Sequence, residues 1–328
     1  MIQDCSEMKS QGLRVGVVGF GEAGQIHVRH LQSAGAKVVG IVTRRPDMKR
    51  DFPIYPSLSA LLPDVDAVTI AVPNYLHAGI CLEAMRGGKA VFVEKPLCLT
   101  AYELIQLEEA FRLSPVLLKV GFRLRWNPSL RTLRMRLHGA RRVRCIYRLG
   151  IEKLAAGKEW TRHEAESGGA FFTLGIHALD LARWLVDAQG KPLHHMRAHT
   201  AHVDTSADFP LEVSLSGNLP DGTQIVAGAD LRGDAPFRLD LEIQAENSCF
   251  PDPSSPSLGP EAEHATELEY QGLITDFIQA VYRGEPNFDE VLEFFQSHRD
   301  LIQAREIAVS REQSSSPKKD GEGFRGLV

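Results

Sequence analysis

A doubly wound parallel α/β domain followed by an α+β domain is the fold that this sequence predicts. Three observations carry it. Strand and helix signals alternate from residue 13 to residue 121, the pattern of βαβ units and a parallel sheet. Gly19-Phe20-Gly21-Glu22-Ala23-Gly24 lies between the first strand and the first helix. After about residue 122 the alternation gives way to strand runs separated by turn signals.

The elements follow in order. Leu13 to Gly19 is an apolar run ending in glycine, Ala23 to Ala34 a helix, and Lys37 to Thr43 a second β-rich run. Ala67 to Val72 is the third strand, and Leu76 to Arg86 a helix stopped by Gly87-Gly88. Ala90 to Val93, Tyr102 to Leu113 and Val116 to Gly121 read as strand, helix and strand. Beyond them, Asn127 to His138 and Gly175 to Val186 read as helices and Arg142 to Arg148 as a strand. Met196 to Gln244 holds several strands, with turns at Pro220-Asp221-Gly222 and Arg232-Gly233-Asp234, which predicts an antiparallel or mixed sheet. A Pro- and Ser-rich loop over 250–260 precedes two helices, near 268–283 and 290–309. The expected organisation is a polar tail at 1–12, a Rossmann domain at 13–122, an α+β domain at 123–310 and a disordered tail at 311–328.

Composition narrows the function classes. Hydrophobic residues make up 43% and charged residues 24% of the 328 positions, which excludes a largely disordered or fibrous chain. A net charge of -5 gives no global attraction to nucleic acid or anionic lipid. No apolar run approaches the roughly 18 residues of a membrane span. The polar start is not a secretory signal, and five scattered cysteines without a CxxC pair argue against disulfides and structural zinc. A reduced, cytoplasmic location is expected. His194, His195, His199 and His202 lack a carboxylate or cysteine at ligand spacing, so no metal is expected.

The GxGxxG stretch is informative because a strand precedes it and a helix follows. Gly19 allows the tight turn, Gly21 lets the backbone approach a pyrophosphate, and Gly24 lets helix and strand pack closely. Free N–H groups of the helix start then face the phosphates. Phe20, Glu22, Ala23 and Gln25 complete this cofactor-binding stretch. At the end of the second strand an acidic residue would bond the ribose of NAD; here stand Thr43-Arg44-Arg45, with no acid between Glu22 and Asp47. Guanidinium forks suit a 2′-phosphate, so NADP is expected in preference to NAD, with one arginine on the phosphate and the other over the adenine.

At this point the chain resembles the glucose–fructose oxidoreductase / inositol dehydrogenase / rhizopine catabolism (Gfo/Idh/MocA) family. The likeness rests on the fingerprint continued to Gln25-Ile26-His27, on Ala71-Val72-Pro73-Asn74-Tyr75-Leu76-His77, and on Glu94-Lys95-Pro96. It continues in Gly168-Gly169-Ala170, in Gly175-Ile176-His177-Ala178-Leu179-Asp180, and in the junction segment Gly121-Phe122 with Arg125-Trp126-Asn127-Pro128. The resemblance runs from about 13 to 310 and implies a Rossmann domain followed by a domain built on a large open sheet. That sheet often packs between subunits, which implies a homodimer or homotetramer. It implies a cis bond before Pro96, aiming Lys95 at the nicotinamide. Ala71, Pro73, Asn74, His77 and Glu94 would then line the cofactor, with Arg125 facing the site from the domain junction. Asn74 also suits a helix cap.

Oxidising a secondary alcohol removes a proton from oxygen and a hydride from carbon. His177 is the expected proton carrier and Lys95 the expected hydrogen-bond donor to the reacting oxygen. Many members carry Asp four residues before the histidine, where this chain has Thr173; threonine can only hydrogen-bond. Asp180, one turn beyond, could orient the imidazole or serve structure. Tyr147, Trp160 and His163 are further pocket candidates. The arginines between Arg123 and Arg148 read as a solvated helix face and subunit interface, not a nucleic-acid site. The expected function is hydride transfer between nicotinamide and a sugar, cyclitol or related alcohol or ketone. The alternatives are an NADP-binding regulator without turnover and an enzyme cycling a tightly bound cofactor.

Overall fold

The computed structural model describes residues 12–44, 51–201, 205–245, 248–250, 262–284 and 286–315. Arg45, His202 and nearly all of the Pro- and Ser-rich loop lie outside the described residues.

The first domain starts β1 (Arg14–Val18), α1 (Glu22–Ser33), β2 (Lys37–Val42), β3 (Ile54–Tyr55), α2 (Leu58–Leu61) and β4 (Ala67–Ile70). It continues with α3 (His77–Arg86), β5 (Ala90–Val93), α4 (Ala101–Leu113) and β6 (Leu118–Val120). The six strands form one sheet in the order β3-β2-β1-β4-β5-β6, all parallel. Helices cover both faces, so β1 and β4 are nearly continuous runs of buried apolar residues. Strand order reverses at β1, and the crevice at that switch point is where such sheets bind ligands. Helix signals operate as expected: Thr100 and Glu103 form a capping box at the start of α4. β3 and α2 were not expected. Two- and four-residue elements carry no readable period, although Ser57 caps α2 through its hydroxyl.

The second domain holds α5 (Pro128–Arg136), β7 (Ala140–Arg148), α6 (Ile151–Ala155), α7 (Glu164–Ser167) and α8 (Ile176–Leu185). Then come β8 (His194–Ala201), β9 (Glu212–Asn218), β10 (Gln224–Asp230), β11 (Arg238–Ala245), β12 (Ser248–Phe250), α9 (Ala262–Arg283) and α10 (Phe288–Ser315). Its sheet runs β12-β11-β7-β10-β9-β8; β7 and β10 pair in parallel and every other pair is antiparallel. α8 packs on β7 and β10, and α10 on β8. The other face presents ion pairs, with Arg144 on Glu242 (2.8 Å) and Arg148 on Asp240 (2.7 Å).

Two expectations need correction. α10 runs to Ser315, with Arg311 donating to the Ala198 carbonyl (3.1 Å), so order extends past the expected tail boundary at 311. The division at 122 is also not strictly sequential. Leu273, Ile274, Phe277 and Ile278 of α9 share one core with Leu13, Val15, Val17 and Leu31. The C-terminal part of the chain therefore supplies a covering layer of the first sheet, a long-range pairing that local periodicity does not encode. Among the described residues no helix is long and apolar enough to cross a membrane.

Candidate active site

Three strand ends of the parallel sheet meet at the switch point. After β1, Gly19 holds φ at +91°, and a Cβ there would lie 2.1 Å from the Ala71 carbonyl oxygen. A Cβ on Gly24 would lie 2.2 Å from the Gly19 carbonyl oxygen, whereas Gly21 faces open space. The three glycines thus do the separate work that a dinucleotide turn needs: a turn, a close helix contact and an open approach. Residues Phe20, Glu22, Ala23 and Gln25 surround that opening at the start of α1. Thr43 and Arg44 follow β2, with Arg44 exposed.

After β5 the Lys95–Pro96 bond is cis. Buried groups brace this turn from four helices. Glu94 accepts from Tyr270 on α9 (2.9 Å) and lies 3.1 Å from Nε2 of His27 on α1. Burial works to raise the Glu94 pKa, but His27, Lys95 and Tyr270 outweigh it and hold the carboxyl below its usual range. His77 on α3 is fully buried, its Nδ1 2.6 Å from the Pro96 carbonyl oxygen and its Nε2 2.8 Å from that of Val72. The Leu97 N–H donates to Nε2 of His298 on α10 (2.8 Å), whose Nδ1 faces the Phe294 carbonyl oxygen (2.7 Å). Burial depresses the His298 pKa to about 4, so the ring stays neutral and able to accept.

Lys95 donates from Nζ to the Thr173 main-chain carbonyl (2.7 Å). That carbonyl belongs to a π-helical turn, Phe171–Gly175, leading into α8, and such turns frequently occur at functional sites. The Thr173 hydroxyl is occupied locally, donating to the Gly169 carbonyl (2.8 Å). Burial lowers the Lys95 pKa to about 8; Glu94 opposes the shift while Arg123 and Lys158 reinforce it. His177 opens the next turn, almost wholly buried, with its ring stacked on Tyr147 (5.2 Å between centroids, 17° between planes). Its Nδ1 has no hydrogen-bond partner among the described residues. Burial, then Lys95 and Arg123, push the His177 pKa well below its ordinary value. Arg123 in turn donates to the Tyr147 hydroxyl (3.0 Å) and pairs with buried Glu269.

The structure brings Lys95, His177, Thr173 and Tyr147 together, and moves other candidates to structural work. Asp180 does not orient His177: it pairs with Arg125 (Nε to Oδ2, 2.9 Å), with Asp180 buried and Arg125 largely so. Arg125 is committed to that pair and lies over the Phe122 and Phe294 rings, so it is not a free cofactor ligand. His77 has no exposed surface to offer a ribose. Asn74 caps no helix; its Nδ2 donates to the Ser167 carbonyl (2.8 Å) across the domain junction. His163 is exposed and faces Asp208 (3.4 Å). Arg123 departs from the surface reading of the arginine stretch, because its partner Glu269 comes from α9, 146 residues on. Glu269, Tyr270 and His298 were not found from sequence for the same reason. Cys81, Cys98 and Cys145 are buried free thiols.

The absent carboxylate has a measurable consequence. Thr173→Asp would place a negative charge on the turn before His177, and an opposite charge within about 4–6 Å favours the imidazolium. The His177 pKa is expected to rise by about one unit or more, read by NMR titration of its ring protons. An unmoved titration would show that residue 173 does not face the imidazole.

A glycine turn open at Gly21 and closed at Gly19 and Gly24, set at the switch point of a parallel sheet, defines a dinucleotide-binding domain of Rossmann type. The chain belongs to the Gfo/Idh/MocA oxidoreductase family. The family's NAD-binding Rossmann description matches residues 13–122, and its C-terminal domain matches residues 136–247. An inositol 2-dehydrogenase of Acidothermus cellulolyticus is 30% identical over 251 residues, covering 72% of each chain. The scyllo-inositol 2-dehydrogenase (NAD(+)) of Bacillus subtilis is 31% identical over 192 residues, 54% of this chain and only 55% of that protein. In fold, the crystal structure of GenD2 from gentamicin A biosynthesis in complex with NAD matches with a TM-score of 0.79. That match has 22% identity over 92% of this chain and 95% of the other.

Proposed function

We propose that this chain is an NADP-preferring oxidoreductase that moves hydride between nicotinamide and a cyclitol or related sugar alcohol or ketone. The observation that carries the reading is the placement of Lys95 and His177 together beside the glycine turn. The inositol dehydrogenases among its relatives support the substrate class. The turn from Gly19 to Gly24 and the start of α1 would hold the pyrophosphate. A bound nicotinamide supplies the hydride acceptor or donor. The chain's own residues do the rest. Lys95 donates a hydrogen bond from Nζ to the substrate oxygen and stabilises the charge that develops there. His177, kept neutral by burial, takes or returns the hydroxyl proton. Arg123 and Tyr147 hold the imidazole plane from one side. The reading includes a cytoplasmic homodimer or homotetramer assembled through the open sheet face.

The preference for NADP is supported by Arg44 after β2 and by the lack of an acid there. Titration by nicotinamide fluorescence is expected to give NADPH an advantage over NADH of about tenfold or more, which is about 1.4 kcal/mol. Arg44→Asp should erase or reverse it. Equal affinities in the native protein would sink the assignment. Thr173 favours a second reading, a dinucleotide-binding regulator without turnover. Such a protein has no need of an ammonium held at a pKa of about 8 beside an imidazole.

A further inference from the structure

One contact crosses from the second domain to the glycine turn: Lys158 Nζ lies 2.7 Å from Glu22 Oε2. Glu22 is the first residue of α1, directly after Gly21. The helix start offers N–H groups to an anion, but the Glu22 carboxylate places a like charge beside them. Lys158 sits where it can answer both. Its backbone is held firmly. The Lys158 N–H donates to the Ala155 carbonyl (2.7 Å), and the Lys158 carbonyl accepts from the Thr161 N–H (2.9 Å) and hydroxyl (2.8 Å). Arg162 ties the same segment to Glu152 (2.7 Å) and to the Ser206 carbonyl (2.7 Å). At its base, a Cβ on Gly150 would meet the Gly233 carbonyl oxygen at 2.3 Å. The segment 151–162 thus delivers one half-exposed ammonium to the turn. The same ammonium adds, after burial and Arg123, to the weakening of Lys95 basicity.

We propose that Lys158 is a cofactor ligand supplied by the second domain, which leaves Glu22 for the pyrophosphate when the dinucleotide binds. The proposal rests on the reading that the chain binds a nicotinamide dinucleotide. Exposed ion pairs contribute little, so the Glu22 contact is readily given up, whereas an ammonium on a pyrophosphate makes a charge-assisted bond to a doubly charged group. Glu22 then acts as the resting place of Lys158, whose ammonium exchanges one anionic partner for another when the dinucleotide binds.

The test is nicotinamide fluorescence titration of the whole protein with NADPH and NADH at low and high salt, for wild type, Lys158→Ala, Glu22→Gln and the double variant. Lys158→Ala should weaken NADPH binding about tenfold at low salt, and the gap should narrow near 0.5 M salt as screening takes hold. Glu22→Gln should bind at least as tightly as wild type, since it frees Lys158. The double variant should stay as weak as Lys158→Ala. A Lys158→Ala affinity within about twofold of wild type overturns the proposal and leaves dinucleotide binding standing. Recovery of wild-type affinity in the double variant also overturns it, because Lys158 would then only neutralise Glu22. A wild type that binds neither dinucleotide overturns the functional reading and the proposal together.

Discussion

Lys95→Ala is expected to lower turnover by about 10²–10³-fold while leaving the dissociation constant of the cofactor within about twofold, because removing one preorganised donor to a developing oxyanion costs about that much. Nζ is held by the Thr173 carbonyl, and the Pro96–Leu97 peptide group that follows Lys95 is bonded to His77 at its oxygen and to His298 at its N–H. Deleting the side chain therefore removes the donor without unpicking its frame. The pH dependence checks the role. With a pKa of about 8, Lys95 is an ammonium below that pH and a neutral amine above it. Carbonyl reduction that needs the ammonium should fall about tenfold per unit above pH 8, and that alkaline limb should vanish in the variant. A variant that keeps both turnover and the limb would move the reacting oxygen away from Lys95.

Asp180→Ala is expected to destabilise the fold by about 3–5 kcal/mol, measured by urea or thermal unfolding, because it strands a buried guanidinium. Among the described residues Asp180 is the acid in bonding contact with Arg125, with Glu290 next at 4.0 Å. Burial raises the Asp180 pKa to about 6 against the pull of Arg125, so the carboxyl itself gains little from its position. The cost falls on the arginine left behind. Asp180→Asn keeps an acceptor for the guanidinium and should cost less. If Asp180→Ala instead left stability intact and shifted the pH profile of turnover, Asp180 would be an orienter of His177 after all.

The legible parts of the molecule are those whose signal is local. The glycine spacing, the strand before it and the helix after it reveal the switch point, and a Cβ at Gly19 or Gly24 meets backbone as that reading requires. Glu94-Lys95-Pro96 and His177 lie where strand ends and helix starts put them. What escaped is carried by partners far apart in the chain. His298 reaches Leu97 across 201 residues, and Glu269 reaches Arg123 across 146. An arginine stretch reads alike whether its members face water or a buried glutamate. Arg144 and Arg148 do lie on the open sheet face, while Arg131 and Arg134 cover the Trp126 and Trp184 rings. The helix expected from Gly175 matches α8 to within a residue, whereas the π-helical turn before it, whose Thr173 carbonyl accepts from Lys95, carries no periodicity of its own and is not legible in the sequence.

The most direct test of the account is the reduced-nicotinamide absorbance near ~340 nm, followed with NADP plus cyclitols and aldoses and with NADPH plus the matching keto compounds. The wild type is predicted to turn over at least one such pair, with NADP favoured over NAD and with activity lost in Lys95→Ala at unchanged cofactor affinity. Turnover that survives Lys95→Ala, or a protein that binds NADPH yet reacts with no member of the panel, would contradict it.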